Sequence, residues 1–149
     1  MERIDPAKAA AVWQRVHNSP PAIENEQVLP TLLREELANT ALYTQLARKL
    51  GPPHNQMLQQ MARQEQSHGF CLRGICKMRT GTVPAVERPQ LSQDTPEALL
   101  RRCYEQKLRC CTQYSARSND PQFGPVFALL ARQEQEHCSI LLQILGSIK

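Results

Sequence analysis

The chain contains the stretch Ala62-Arg63-Gln64-Glu65-Gln66-Ser67-His68 in two copies. The second copy lies 69 residues later, at 131–137, and differs only in having Glu136 where the first has Ser67. Each copy contains Glu-x-x-His, and residues three positions apart lie side by side on one face of an α-helix. The repeat therefore predicts two helices, each presenting a carboxylate next to an imidazole.

Each copy also has a glutamate at the same distance upstream. Glu36 precedes Glu65 by 29 residues, and Glu105 precedes Glu134 by the same 29 residues. Four-helix proteins that bind two iron or manganese ions take one Glu from each of two helices and Glu-x-x-His from each of two others. The repeat thus predicts a dimetal site with six candidate ligands, namely Glu36, Glu65, His68, Glu105, Glu134 and His137.

On these residues the chain resembles the ferritin-like superfamily and, within it, the rubrerythrins, over residues 29–149. The resemblance implies an all-α fold, a four-helix bundle of two antiparallel helix pairs joined by a long crossover. It also implies two Fe ions as the cofactor, with Mn as the alternative metal. The ligand roles that it implies are terminal carboxylates at Glu36 and Glu105, bridging carboxylates at Glu65 and Glu134, and one imidazole per metal at His68 and His137.

The activity implied by the resemblance is oxidoreductase chemistry, in which peroxide or O2 is reduced at the dimetal site. None of the six cysteines forms the CxxC pair of a rubredoxin iron site. The chain would therefore need an external electron donor such as a rubredoxin-like protein. Two further interpretations stay open: an iron-handling ferroxidase or storage protein, and a non-catalytic bundle that metal ions or a polar network stabilise.

Composition narrows the class of protein. A chain of 149 residues suits one domain with a sizeable core, and its few aromatic residues favour helices. The net charge of +4 comes from interspersed signs, so we expect no nucleic-acid partner. No apolar run is long enough for a membrane span, and the N-terminus does not look like a signal peptide. We therefore expect a cytoplasmic protein with reduced cysteines and no membrane partner. We also expect a homo-oligomer, specifically a dimer.

Helical periodicity and breaking residues divide the chain into two parts. Residues 1–28 should form a short N-terminal helix, from Asp5 to about His17, and a linker. Residues 29–149 should form the bundle, in which a connection as long as Arg79–Asp94 suits a crossover along its length. The first three expected helices span about 29–50, 54–77 and 95–117, and Asp94 and Thr95 are alternative caps of the third. The last helix should begin between Pro121 and Val126 and end near Gly146.

Glu105 is the ligand on which two patterns disagree. The repeat spacing equates it with Glu36, whose side chain falls within the apolar stripe of the first helix. The apolar residues of the third helix centre on a different side, and Glu105 shares its own side with arginines such as Arg101 and Arg109. That arrangement is typical of a solvated Arg–Glu pair. We give the repeat spacing precedence, because a dimetal site needs charge balance on both sides and the other half has Glu36 at the matching position.

Overall fold

The structure, a computed structural model, describes the backbone of residues 20–148 and the side chains of residues 27–148. These residues form four α-helices and, within that range, no strand: α1 Pro20–Leu50, α2 Asn55–Thr80, α3 Pro96–Ser115 and α4 Gly124–Ser147. The all-helical fold class is therefore confirmed. The N-terminal helix expected at Asp5–His17 lies outside the described residues.

The start of α1 corrects one expectation. The helix begins at Pro20, so the segment up to Val28 is helical instead of the extended linker that the sequence predicted. The adjacent prolines Pro20 and Pro21 had suggested a helix stop. Proline is nevertheless tolerated in the first turn of a helix, where its missing N–H would have no intrahelical partner.

The other helix ends follow their local chemistry. Thr95 caps α3, with its Oγ1 accepting a hydrogen bond from the Ala98 N–H at 3.2 Å, and Pro96 occupies the first turn. Gly51 directly follows the last residue of α1 and has a φ of 64°, a left-handed conformation that favours glycine. The short loops after α1 and after α3 agree with the antiparallel helix pairs that the sequence predicted.

Two apolar clusters fill the two ends of the bundle. One joins Leu42–Ala47 of α1 to the start of α2, the start of α3 and the end of α4. The other joins Leu29–Leu33 of α1 to the end of α2, the end of α3 and the start of α4. Helices α2 and α3 therefore run antiparallel to α1, and α4 runs parallel to it. Most of the buried polar residues lie between the two clusters.

The connection between α2 and α3 runs along the bundle. Val86 packs against the cluster around Leu29. Further on, the Ser92 carbonyl oxygen accepts a hydrogen bond from Gln45, and the Asp94 carbonyl oxygen accepts one from Lys49 at 2.9 Å. Gln45 and Lys49 lie in the last turns of α1, so the connection passes from one end of α1 to the other. None of the described helices is long and apolar enough to cross a membrane.

Candidate metal centre

Five of the six candidate ligands lie together in the middle of the bundle. Helix α1 contributes Glu36, α2 contributes Glu65 and His68, and α4 contributes Glu134 and His137. All five side chains are at most 2% exposed. Eight of the nine buried positions of α2 recur as buried positions of α4 after 69 residues, because the Glu-x-x-His motifs occupy equivalent places on these two helices. The structure therefore places the Glu and His side chains of the two motifs at equivalent buried positions of α2 and α4.

Helix α3 contributes a cation to this cluster. Lys107 is fully buried, and its Nζ lies 2.8 Å from Glu65 Oε2, 2.7 Å from Glu134 Oε2 and 4.0 Å from Glu36 Oε2. A buried ammonium is costly unless it is paired, and here two carboxylates contact it directly. Lys107 was not among the predicted site residues, because lysine is normally a surface residue.

Glu105 does not join the cluster. Its side chain is exposed on α3, so the expectation that it lies with the other five ligands is corrected. The 69-residue spacing holds for α2 and α4, but the buried face of α3 repeats that of α1 after 71 residues. The interval from Lys107 to Glu134 is accordingly two residues shorter than the interval from Glu36 to Glu65. A signal was present, since residue 107 falls within the apolar stripe of α3, four positions after Cys103.

The two histidines are held by crossed contacts between α2 and α4. His68 Nδ1 lies 2.9 Å from Glu134 Oε1, and its Nε2 lies 2.5 Å from Gln133 Oε1. His137 makes the matching contacts, with Nδ1 at 2.6 Å from Glu65 Oε1 and Nε2 at 2.6 Å from Gln64 Oε1. The Gln-Glu pair of each motif thus positions the histidine of the other motif, which explains why the repeat includes both residues.

Two buried tyrosines border the cluster. The Tyr114 hydroxyl donates a hydrogen bond of 2.6 Å to Glu36 Oε1. Tyr43 packs edge-on against the His137 ring, with 5.7 Å between ring centroids, and its hydroxyl has no hydrogen-bond partner among the described residues. Burial and neighbouring carboxylates raise the pKa of both phenols, so both stay protonated at neutral pH.

The carboxyl groups of the cluster differ in their protonation. Burial raises the pKa of Glu36 well above its usual range, and the nearby Glu65 and Glu134 add to this against the opposing effect of Lys107. Burial also acts to raise the pKa of Glu65, but the Lys107 ammonium and the His137 hydrogen bond hold it well below its usual range. One proton on Glu36 therefore reduces the repulsion among the carboxylates.

The basic groups keep their protons in this arrangement. Burial opposes the charged form of His68, yet its contacts with Glu134 and Glu36 raise the pKa to about 11. Burial likewise opposes charge on Lys107, but the three surrounding glutamates raise the pKa of its ammonium. A metal ion that binds His68 Nδ1 would have to displace a proton from this nitrogen.

The residues fit one metal ion better than two. Glu36, Glu65, His68 and Glu134 each offer a ligand atom, and these four atoms lie within 4.8 Å of one another. Ligands on opposite sides of one ion are about 4.4 Å apart, so the group has nearly the required size. Glu36 Oε2 has no hydrogen-bond partner within residues 27–148, which leaves it available as a ligand. A second ion beside His137 would lack a terminal carboxylate, because Lys107 is there instead.

Comparison of the chain with models of protein families, with curated protein sequences and with solved structures gives no match. The chemistry of the buried cluster and the topology of the helices therefore carry the functional argument.

Proposed function

We propose that this chain is a metal-binding bundle of the ferritin-like type, which holds one Fe(II) or Mn(II) ion in the buried cluster. The observation that carries the proposal is the group formed by Glu36, Glu65, His68 and Glu134, whose ligand atoms are mutually within 4.8 Å. The order of the helices, with a crossover along the bundle between two antiparallel pairs, supports the ferritin-like interpretation.

The composition of the ligand set favours these two metals. Three carboxylates and one imidazole are mainly hard donors, which suit Mn(II) and Fe(II) better than metals that prefer thiolates. Cys110 does not compete for the ion, because burial keeps its thiol protonated and the thiol donates a hydrogen bond to Glu35 Oε2 at 2.9 Å. The thiolate is the form of cysteine that binds metal.

We further propose O2 or H2O2 as the small substrate, with electrons supplied by an external donor protein. A bound redox metal would supply the electron transfer. The protein residues exclude water, because every charged group of the cluster is at most 2% exposed. Small neutral molecules can enter such an interior at lower cost than charged ones. The Lys107 ammonium, 2.8 Å from Glu65 Oε2 and 2.7 Å from Glu134 Oε2, would hold the proton nearest to the ligand group for delivery to reduced oxygen.

One observation favours a second function, a polar network that stabilises the bundle without catalysis. Each carboxylate of the cluster already lies near a cationic or hydrogen-bonding group of the protein. Lys107 contacts Glu65 and Glu134, while Tyr114 donates to Glu36. Such a network compensates part of the cost of burying charge and therefore stabilises the metal-free protein.

Metal analysis and rapid kinetics distinguish the two functions. We expect protein reconstituted anaerobically with Fe(II) to retain one ion per chain after desalting, and its absorbance to change within seconds of adding H2O2. Glu36→Gln should lower the retained metal at least about tenfold, since it replaces a charged ligand by a neutral one. Glu105→Gln is the matched control, because this exposed glutamate belongs to the sequence repeat but not to the cluster.

Retention of no metal by the wild-type protein would reject metal binding and leave the structural network. Retention of one ion without any reaction with H2O2 or O2 would reject the redox activity alone. An equal loss of metal in Glu36→Gln and Glu105→Gln would contradict the proposed ligand group.

A further inference from the structure

Helix α3 places Lys107 where α1 places Glu36. Five buried positions of the two helices match at a spacing of 71 residues: Leu29 with Leu100, Leu32 with Cys103, Glu36 with Lys107, Asn39 with Cys110, and Tyr43 with Tyr114. Each of these ten side chains is at most 2% exposed. The correspondence thus covers both apolar and polar positions, and the lysine stands at the position that matches a carboxylate.

Among the Glu, His and Lys side chains of the cluster, the two halves differ at this position. On one side, His68 Nδ1 lies 3.5 Å from Glu36 Oε2 and 2.9 Å from Glu134 Oε1. On the other side, His137 Nδ1 lies 2.6 Å from Glu65 Oε1, but the α3 residue is Lys107. His137 accordingly does not belong to the group of four that can hold a metal ion.

We propose that the Lys107 ammonium takes the place of a second metal ion and so limits the cluster to one ion. Its Nζ lies within 2.8 Å of the two glutamates that the two halves share, Glu65 Oε2 and Glu134 Oε2. An ammonium at this distance from both carboxylates fills the space of a second cation and neutralises the carboxylate charge that would attract it. This inference rests on the proposed function for the first ion, but it concerns a residue that is not a ligand.

Electrostatics accounts for the exclusion. A divalent ion beside His137 would lie a few ångströms from the ammonium in a dry interior, where like charges repel strongly. It would also lack a terminal carboxylate of its own. Replacing Lys107 by glutamate removes the repulsion and adds that ligand, so the variant should gain one binding site for metal.

The experiment counts metal ions in full-length protein reconstituted with Mn(II). We expect one ion per chain in the wild type and two in Lys107→Glu, measured by mass spectrometry of the bound metal. Electron paramagnetic resonance should change from the signal of an isolated Mn(II) to that of a coupled pair. Lys77→Glu is the matched control, because Lys77 is exposed on α2 and its replacement changes the net charge equally.

Lys107→Met provides a second measurement should Lys107→Glu fail to fold. Removing the ammonium without adding a ligand should keep one ion and tighten its binding by about tenfold or more, because the competing charge is gone. Circular dichroism and thermal melting establish that each variant is folded. Unchanged or weaker binding in a folded Lys107→Met protein would contradict the inference.

The outcomes separate the inference from the proposed function. Two ions in the wild type, or equal counts in the wild type and a folded Lys107→Glu variant, would overturn the role of Lys107. No ion in the wild type and one in Lys107→Glu would overturn the proposed function and still support the exclusion of metal by Lys107.

Discussion

At the scale of single residues, the Tyr114 hydroxyl stabilises one carboxyl oxygen of the buried cluster. Tyr114→Phe removes the 2.6 Å hydrogen bond to Glu36 Oε1 and leaves that oxygen without this donor in the interior. We expect the free energy of unfolding to fall by about 1–3 kcal/mol, as for other buried polar groups that lose a partner. Urea denaturation of the metal-free protein measures this change.

The matched control for Tyr114→Phe is Tyr104→Phe, a partly buried tyrosine of the same helix that packs against the apolar cluster. It should change the free energy of unfolding by less than about 0.5 kcal/mol. Tyr114→Phe should also weaken Mn(II) binding, because Glu36 loses a contact that orients it. Equal stability of the two variants would show that the hydroxyl contributes nothing to the cluster.

The ion pair between Arg79 and Asp120 should make the stability of the fold depend on pH. Arg79 donates a hydrogen bond to Asp120 Oδ2, and Asp120 Oδ1 accepts N–H bonds of 2.9 Å from Gln122 and Phe123. Burial opposes the charged form, but these donors lower the pKa of Asp120 below its usual range. A lowered pKa in the folded state stabilises the fold above the unfolded pKa of about 3.9, and this contribution is lost as the pH falls through the folded pKa.

Asp120→Asn tests this assignment. We expect the variant to be less stable than the wild type by about 1 kcal/mol at pH 7, measured by urea denaturation. The difference should persist down to about pH 5 and shrink below about pH 4, because the carboxylate of the unfolded wild type becomes protonated there, and it should be lost once the pH falls below the folded pKa. A difference that stays constant from pH 7 to pH 3 would mean that the charge of Asp120 is not responsible.

At the scale of elements, the turn between α3 and α4 depends on Gly124. A Cβ at this position would collide with the backbone carbonyl oxygen of Ser118, which cannot move away as a flexible side chain would. Gly124→Ala should therefore destabilise the protein by about 1–3 kcal/mol. Gly74→Ala is the control, because a Cβ there meets open space within α2 and should stabilise that helix by about 0.5–1 kcal/mol. Thermal unfolding of both variants should show opposite shifts.

The buried faces of the helices show which parts of the fold the sequence could predict and which it could not. The helices α2 and α4 were predictable because the repeated motif and the apolar stripes agree on one face, which brought Glu65 and Glu134 together. Helix α3 was predicted as well, but its buried face was not, because the motif spacing favoured Glu105 while the apolar stripe lay on the face that carries Lys107. The interval from Lys107 to Glu134, which includes the turn between α3 and α4, is two residues shorter than the interval from Glu36 to Glu65, and no pattern within the motif itself indicates that difference.

Glu36 illustrates the part of the site that the sequence predicted for a physical reason. A glutamate inside an apolar stripe requires compensation, and the structure buries it completely. The compensation itself was not predictable, because metal ions and a buried ammonium solve the same electrostatic problem. The packing of α3 against α2 and α4 identifies Lys107 as a compensating charge, because it brings the ammonium into contact with Glu65 and Glu134.

At the scale of the whole molecule, the position of the cluster between two apolar clusters predicts how metal affects stability. Each end of the bundle has its own packed core, and Lys107 compensates two carboxylates without any metal. We therefore expect the protein to remain folded after a chelator has removed the metal. On heating, this metal-free protein should unfold in one cooperative transition. This differs from small metal-dependent domains, which unfold when the metal is removed.

Metal should then add stability to a protein that is already folded. A ligand that binds only the folded state at about 100 times its dissociation constant adds about 2.7 kcal/mol. For a chain of this size, that corresponds to an increase in Tm of about 5–10 °C. Calorimetry with and without Mn(II) measures the shift, and Glu36→Gln should reduce it while Glu105→Gln should not. Unfolding on chelation would show that Lys107 does not compensate the carboxylates, whereas a stable apo protein with no Tm shift would show that no ion binds the native cluster.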